Sequence, residues 1–323
     1  MAIAHGFSAI LGVGSEVTLG TPVAATDKVC FISETLQENI VEVLNNAICG
    51  TAVRDIGQPG TKIIEGGFVY PWTVDLGSIP LQKFFGTYST DTPAVGQNTY
   101  SLDNSIDGDG YTVAIDKQVS VYEFAGFKGS TLTISGNPGD GIRISIDGFA
   151  VNLDLDSVLN TSGTLQALAE GGFILLFQDA TFRLGDLADA LQASDAIDVS
   201  EFSIEINRQL EPVEVNSHQR TEALENGFRE STLTFTVPQY QSDFIVDAHR
   251  NHTQLQFDIV ITNGASVKTI QGPRLVVTEY SNSVGGPEFL TLEVTCQLLP
   301  DSNGANAFMT LQNVNSELEI IEE

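Results

Sequence analysis

Gly66-Gly67-Phe68-Val69-Tyr70-Pro71-Trp72-Thr73-Val74 is echoed halfway along the chain by Asn226-Gly227-Phe228-Arg229-Glu230-Ser231-Thr232-Leu233-Thr234-Phe235. A long polar stretch precedes each copy and a short apolar helix candidate follows it. Further on, Phe124-Ala125-Gly126-Phe127-Lys128 is answered by Ile270-Gln271-Gly272-Pro273-Arg274. Each of these leads into two alternating runs around a Gly-rich turn, at 136–141 and 282–287. The order of elements is the same in both halves, which implies two similar folded units. A chain of 323 residues is long enough for two separate cores. We therefore expect a first unit over 1–158, a join over 159–171 and a second unit over 172–323.

Period-2 alternation defines the strands. Ile142-Arg143-Ile144-Ser145-Ile146-Asp147 and Val151-Asn152-Leu153-Asp154-Leu155-Asp156 put apolar residues on one face, as do Phe202-Ser203-Ile204-Glu205-Ile206 and Leu290-Thr291-Leu292-Glu293-Val294-Thr295-Cys296. One apolar face per strand means antiparallel sheets covered on one side. The fold class is thus all-β with a few short helices, arranged as two tandem, similar antiparallel β-sandwich or barrel domains. Ser78 is positioned to cap a helix ending before Gly86, and Ser242 one that runs to Arg250. A third helix is expected over 186–192. The segments 36–65 and 209–226 are the least strand-like, and read as long loops at equivalent places in the two halves.

Charge restricts the function. With 42 acidic and 14 basic residues the formal net charge is −28. Such a surface repels nucleic acid, because binding rests largely on phosphate neutralisation by Lys and Arg. No apolar run is long enough for a membrane helix, and the first residues lack the pattern of a signal peptide. Cys30, Cys49 and Cys296 have neither an even count nor metal-like spacing. They are expected to be reduced and half-buried, in a chain that folds in a cytosol.

Catalytic patterns are missing. His249 and His252 at a helix end read as solvated polarity in preference to a metal pair. The Asp- and Gly-rich stretch 103–110 lacks the spacing of a calcium loop and reads as a hairpin turn. The glycines of 136–141 are not followed by the Lys-Ser/Thr of a phosphate loop. The chain is read as not an enzyme, with no catalytic, cofactor or metal site.

Gly14-Ser15-Glu16-Val17-Thr18-Leu19-Gly20-Thr21-Pro22-Val23, followed by the apolar Val29-Cys30-Phe31-Ile32, resembles the opening of the two-domain tail tube proteins (major tail proteins) of long-tailed, siphovirus-like phages and related viruses. Phe177-Gln178-Asp179-Ala180-Thr181-Phe182-Arg183-Leu184-Gly185, followed by Val199-Ser200-Glu201-Phe202-Ser203-Ile204-Glu205-Ile206-Asn207-Arg208, is similar to the start of that family's second domain. The helix expected over 186–192 departs from the family, where a tight turn belongs.

The resemblance implies a structural subunit of a viral tail, polymerising into stacked rings that conduct DNA during ejection. Three chains would supply six sandwiches, giving trimeric, pseudo-hexameric rings stacked into a helical tube. Implied partners are further copies of the chain and the tape-measure, tail-terminator and baseplate or distal tail proteins. Double-stranded DNA would pass the lumen without specific binding, no membrane would be involved, and assembly would occur in the host cytoplasm before incorporation in the virion tail. An acidic lumen suits a conduit for a polyanion, and Glu65, Asp75, Glu201, Glu205, Glu225 and Glu230 are its candidates. The apolar islands Ile40, Val41, Val43, Leu44 and Ile48 are candidates for contacts between rings. The alternative is a duplicated β-sandwich binding module, such as an adhesin or carbohydrate-binding virion protein.

Overall fold

The computed structural model describes residues 5–44, 57–73, 78–89, 97–103, 105–155, 157–169, 172–213, 215–217, 221–264, 266–284, 289–301 and 310–315. The first half contains β1 (Ile10–Ser15), β2 (Asp27–Val29), β3 (Ser33–Glu34), β4 (Gln37–Val43), β5 (Gln58–Pro71), α1 (Ser78–Phe85), β6 (Gly86–Ser89), β7 (Gln97–Leu102), β8 (Tyr111–Asp116), β9 (Val121–Gly136), β10 (Arg143–Ala150), β11 (Asn152–Asp154) and α2 (Ser162–Gln166). The second contains β12 (Ala180–Asp186), β13 (Ala196–Ile197), β14 (Glu201–Asn207), β15 (Leu210–Pro212), β16 (Ala223–Glu225), β17 (Glu230–Val237), α3 (Phe244–Asn251), β18 (Gln254–Asn263), β19 (Ser266–Ser281), β20 (Leu292–Leu299) and β21 (Thr310–Asn315). The protein is all-β with short helices, as its alternating runs require.

The pairings repeat. In the first half the strands lie in the order β4–β5–β10–β9–β8–β1–β2, every neighbour antiparallel. In the second the order is β14–β17–β20–β19–β18–β12–β13, again antiparallel. The 16-residue strands β9 and β19 each serve two layers. The first part of β9 pairs with β8 and the later part with β10, and β19 divides itself in the same way between β18 and β20. Bulges make the bend: the β8–β9 register slips between Tyr111 and Val113, and the β18–β19 register between Leu255 and Phe257. Gly126 sits in the first bulge at φ +69°, where a Cβ would also meet Val151 Cγ2 at 2.8 Å.

These bulges correct the details of the sequence echo. They align Phe127 with Leu275 and Ser130 with Thr278, so Gly126 corresponds to Arg274 and not to Gly272. Likewise Phe68 corresponds to Phe235, both buried, whereas Phe228 is 96% exposed. The order of elements carried the repeat; the matched glycines did not.

The core is one long apolar layer. Tyr70, Ile144, Ile134, Ile204, Leu233, Cys296 and Val277 stand opposite one another across seven consecutive strands, and all are buried. α1 adds Ile79, Leu81, Phe84 and Phe85 to this core, and Gly86 ends it at φ +83°. α3 adds Ile245 and Ala248; the Ser242 hydroxyl accepts from Phe244 N at 3.2 Å.

Four expectations fail. The stretch 36–65 is not a loop where it is described: β4 and β5 pair from Gln37↔Glu65 to Val43↔Gln58. Its counterpart 209–226 holds the short hairpin of β15 and β16. Mixed polar and apolar side chains hid both, because neither hairpin has a plainly buried face. The 186–192 helix is absent: β12 extends to Asp186, and the chain turns there while Gln256 Nε2 donates to the carbonyls of Asp186 and Asp189. The 103–110 stretch is not a hairpin turn, since β7 pairs with β6 and β21 whereas β8 pairs with β1 and β9. Finally, Cys30 is exposed and only Cys296 is buried, where burial pushes its thiol up to about 12; Cys49 lies outside the described residues. A maleimide added to the native protein at pH 7.5 is therefore expected to modify Cys30 and to spare Cys296 until denaturant is added, as read by peptide mass mapping.

Candidate functional site

The face opposite the core is polar and continuous. One row across the strands reads Val69, Ser145, Thr133, Glu205, Thr232, Gln297; the next reads Pro71, Arg143, Ser135, Ser203, Thr234, Thr295, Glu279. Asp147, Glu201, Glu230 and Glu293 stand on this same face, exposed. The face is concave where Ser135, Glu201, Thr234, Glu279 and Glu293 share one groove. Arg143 is the basic residue on these rows, and Asp140 neutralises it at 2.9 Å.

Of the residues expected on an acidic face, Glu201, Glu205 and Glu230 are there. Glu65 is exposed at the margin, opposite Gln37 and Phe149, and Asp75 lies outside the described residues. Glu225 is not part of this face: it is held between two guanidiniums, at 3.0 Å from Arg208 Nε and 2.8 Å from Arg229 Nη2. Sequence reasoning missed Asp147, Glu279 and Glu293. The signal was present for two of them, since Ile146-Asp147 and Leu292-Glu293-Val294 alternate as the chosen strands do. Glu279 follows the second bulge of β19, which hides its facing from a simple count.

The two halves meet edge to edge. β14 pairs with β9 from Phe202↔Gly136 to Asn207↔Thr131, and Arg208 N extends the ladder to Ser130 O at 2.8 Å. The seam is locked from behind by buried cations. Arg208, with no exposed side-chain surface, donates to Phe84 O (2.7 Å), Asp103 O (2.8 Å) and Glu225, and its guanidinium stacks over the Phe84 ring. Burial, with Arg229 nearby, lowers its pKa to about 10 against the pull of Glu225 and Asp103, so it stays charged at neutral pH. Lys128, equally buried, donates to Glu222 and to Ala223 O. The hairpin of β15 and β16 is thereby fastened to the first half.

Two edges are left open among the described residues. There β3 and β4 pair with β5 on one side only, and β18 leaves β19 at Val276, so described residues beyond it pair only with β20. The projecting β4 exposes Ile40, Val41 and Val43, followed by exposed Leu44; Ile48 lies outside the described residues. Edges and apolar strips left uncovered in this way mark surfaces for partners.

A family model described as phage tail tube protein matches residues 6–298. The chain belongs to the phage tail tube family. It is a structural component of the phage tail. No curated protein matches the chain. The opening motif of the tail tube protein has a physical basis here: the buried Glu16 carboxylate accepts from Gly20 N (2.7 Å), Thr112 Oγ1 (2.8 Å) and Gly126 N (2.7 Å). One glutamate thus ties the opening turn to the bulge where β9 changes layers. Among the described residues no His, Cys, Asp or Glu group is arranged to hold a metal ion, and no helix is long and apolar enough to cross a membrane. Trp72, the one tryptophan, is only 4% exposed and offers no sugar platform.

Removing the Arg208 guanidinium strands the buried Phe84 carbonyl and breaks the buried pair with Glu225. Arg208→Met is expected to destabilise the subunit by about 3–5 kcal/mol, measured by urea unfolding, whereas the exposed Arg143→Met changes stability by about 0.5 kcal/mol or less.

Proposed function

We propose that this tail tube protein closes head to tail into rings of three copies, which stack helically into the conduit through which double-stranded DNA is ejected. One observation carries the reading. Within a single chain, β14 fills the open edge of β9, while among the described residues its counterpart strand (β3 with β4) and the counterpart edge (the end of β19) each keep one side without a partner strand. The second copy supplies what each end lacks, and ring closure removes every free edge of the inner sheet. The units are those over 1–158 and 172–323, joined by 159–171, and three copies supply six of them.

The repeat fixes a register. Carrying the β9–β14 ladder over to its counterparts sets Gln37 opposite Ser281 of the next copy and Asn39 opposite Glu279. Arg208 corresponds to Ile40 and Lys128 to Val276, so the seam between copies is apolar where the seam within a copy is ionic. The rest of the β4–β5 hairpin, with Val41, Val43 and Leu44, reaches the adjacent ring. The acidic concave face then lines the lumen, where carboxylates repel the phosphate backbone and limit adhesion. Tape-measure, tail-terminator and baseplate or distal tail proteins fill and cap the tube, which is assembled in the host cytoplasm.

Electron microscopy of the purified protein is expected to show hollow tubes whose rings contain three copies; six copies per ring would refute the duplication on which the closure rests. Deleting residues 42–60 is expected to leave a folded subunit that no longer polymerises, and normal tubes from that variant would remove the hairpin from stacking.

The lumen makes a separate prediction. Tubes carrying Glu205→Lys and Glu293→Lys are expected to retain short duplex DNA at low salt. Each lysine that contacts a phosphate steepens the fall of log K with log salt by about 0.9. Equal retention by the parent tubes would place these glutamates elsewhere.

A further inference from the structure

The 3-10 turns ahead of the first outer strands are counterparts. Gly6–Ser8 precedes β1, with Ala9 N donating to Gly6 O, and Phe177–Asp179 precedes β12, with Ala180 N donating to Phe177 O. Upstream of the second turn, residues 174–176 run across the end of the first sandwich as one more strand. Trp72 N donates to Ile142 O, Leu175 N to Trp72 O and Ile142 N to Leu175 O, each at 2.8 Å. Isolated bridges flank this triangle at Thr73↔Ile174 and Gly141↔Leu176. Leu175 is completely buried there, and Phe177 lies against Gly136 and stacks on Phe202.

The second sandwich has the same end without the third member. Tyr240 N donates to Leu290 O at 2.9 Å, but among the described residues neither Leu290 N nor Tyr240 O has a backbone partner. Beside it opens a cavity of about 600 Å3 bordered by Val237, Gln239, Tyr240, Ile245 and Leu292. The first-half residues at this level, Tyr70, Trp72, Ile79 and Ile144, are buried. Phe289 and Val284 are 82% and 79% exposed, where their counterparts Gly141 and Gly136 are covered by residues 174–177.

We propose that the segment entering the Gly6–Ser8 turn of a second copy, described from His5 to Phe7, completes this end. The turn-to-turn equivalence puts His5 at the position of Leu176. His5 then stands against Phe289 as Leu176 stands against Gly141. Phe7, 87% exposed in the single chain and next to the counterpart of Phe177, covers Val284. The inference rests on the head-to-tail ring, in which the first half of one copy meets the second half of its neighbour as the two halves meet within a chain. It adds a second joint to that ring, a strand exchanged between copies on the side away from the lumen.

Paired cysteines test it. In a background with Cys30 and Cys49 replaced by serine, tubes are assembled from equal parts of His5→Cys and Phe289→Cys subunits and oxidised. A disulfide-linked dimer is expected in the mixture and in neither variant alone. Gln37→Cys with Ser281→Cys serves as the control for the ring edge. If the control pair links and the His5–Phe289 pair does not, the exchanged segment is wrong and the ring stands. If neither pair links and no tubes form, both readings fall. A His5→Cys/Phe289→Cys double variant that closes its disulfide within one chain, with no dimer in the mixture, also overturns the exchange.

Discussion

Backbone donors and acceptors at a sheet edge must find partners, and most of this structure follows from how the chain meets that demand. β9 leaves an edge that β14 fills, so the two halves share one inner sheet and do not simply lie side by side. The buried row from Tyr70 to Val277 is continuous only because that ladder forms. Bulges in β9 and β19 then allow single strands to pair in two layers, with no separate linking element in either half. Gly148 belongs to the same device, since a Cβ there would stand 2.0 Å from Lys128 O.

The scarce cations are spent behind the sheet. Arg208 and Arg229 hold Glu225, Lys128 holds Glu222, Lys117 holds Glu34 and Arg183 holds Asp258. The pairs made by the buried Arg208 and Lys128 are specific in geometry but give little net stability over an apolar replacement, so their value lies in fixing where elements meet. Their placement also leaves the concave face to carboxylates, with Arg143 there already neutralised by Asp140. Several of the chain's few cations are thus committed to contacts between its own elements.

The halves share a topology but diverge where they face different neighbours. Within the chain, the short hairpin of β15 and β16 is clamped by ionic contacts; the long β4–β5 hairpin in the counterpart position carries exposed Ile40, Val41 and Val43. The first half has one end closed by Leu175, whereas in the second, among the described residues, neither Tyr240 O nor Leu290 N has a backbone partner. Each difference sits at a boundary that the single chain leaves open, as expected of a subunit whose remaining surfaces are satisfied by copies of itself.

The sequence by itself determined the fold class, the order of elements in each half, the stop of α1 at Gly86, and the acidic character. These are local or additive properties: alternation, helix stops and charge are written in neighbouring residues. Glu201, Glu205 and Glu230 were legible for that reason, being the polar partners in plainly alternating runs. Tertiary structure alone decided the rest. Glu225 looks like another surface carboxylate until Arg208, Arg229 and the first half's carbonyls converge around it. Phe228 looks like Phe68 until strand register leaves one exposed and the other in the core. The hairpin over Gln37–Val43 and its partner β5 has no uniform apolar face, so only cross-strand pairing identifies it. Register, bulges and edges join residues roughly a hundred positions apart, and no local pattern records which backbone groups will be left without a partner.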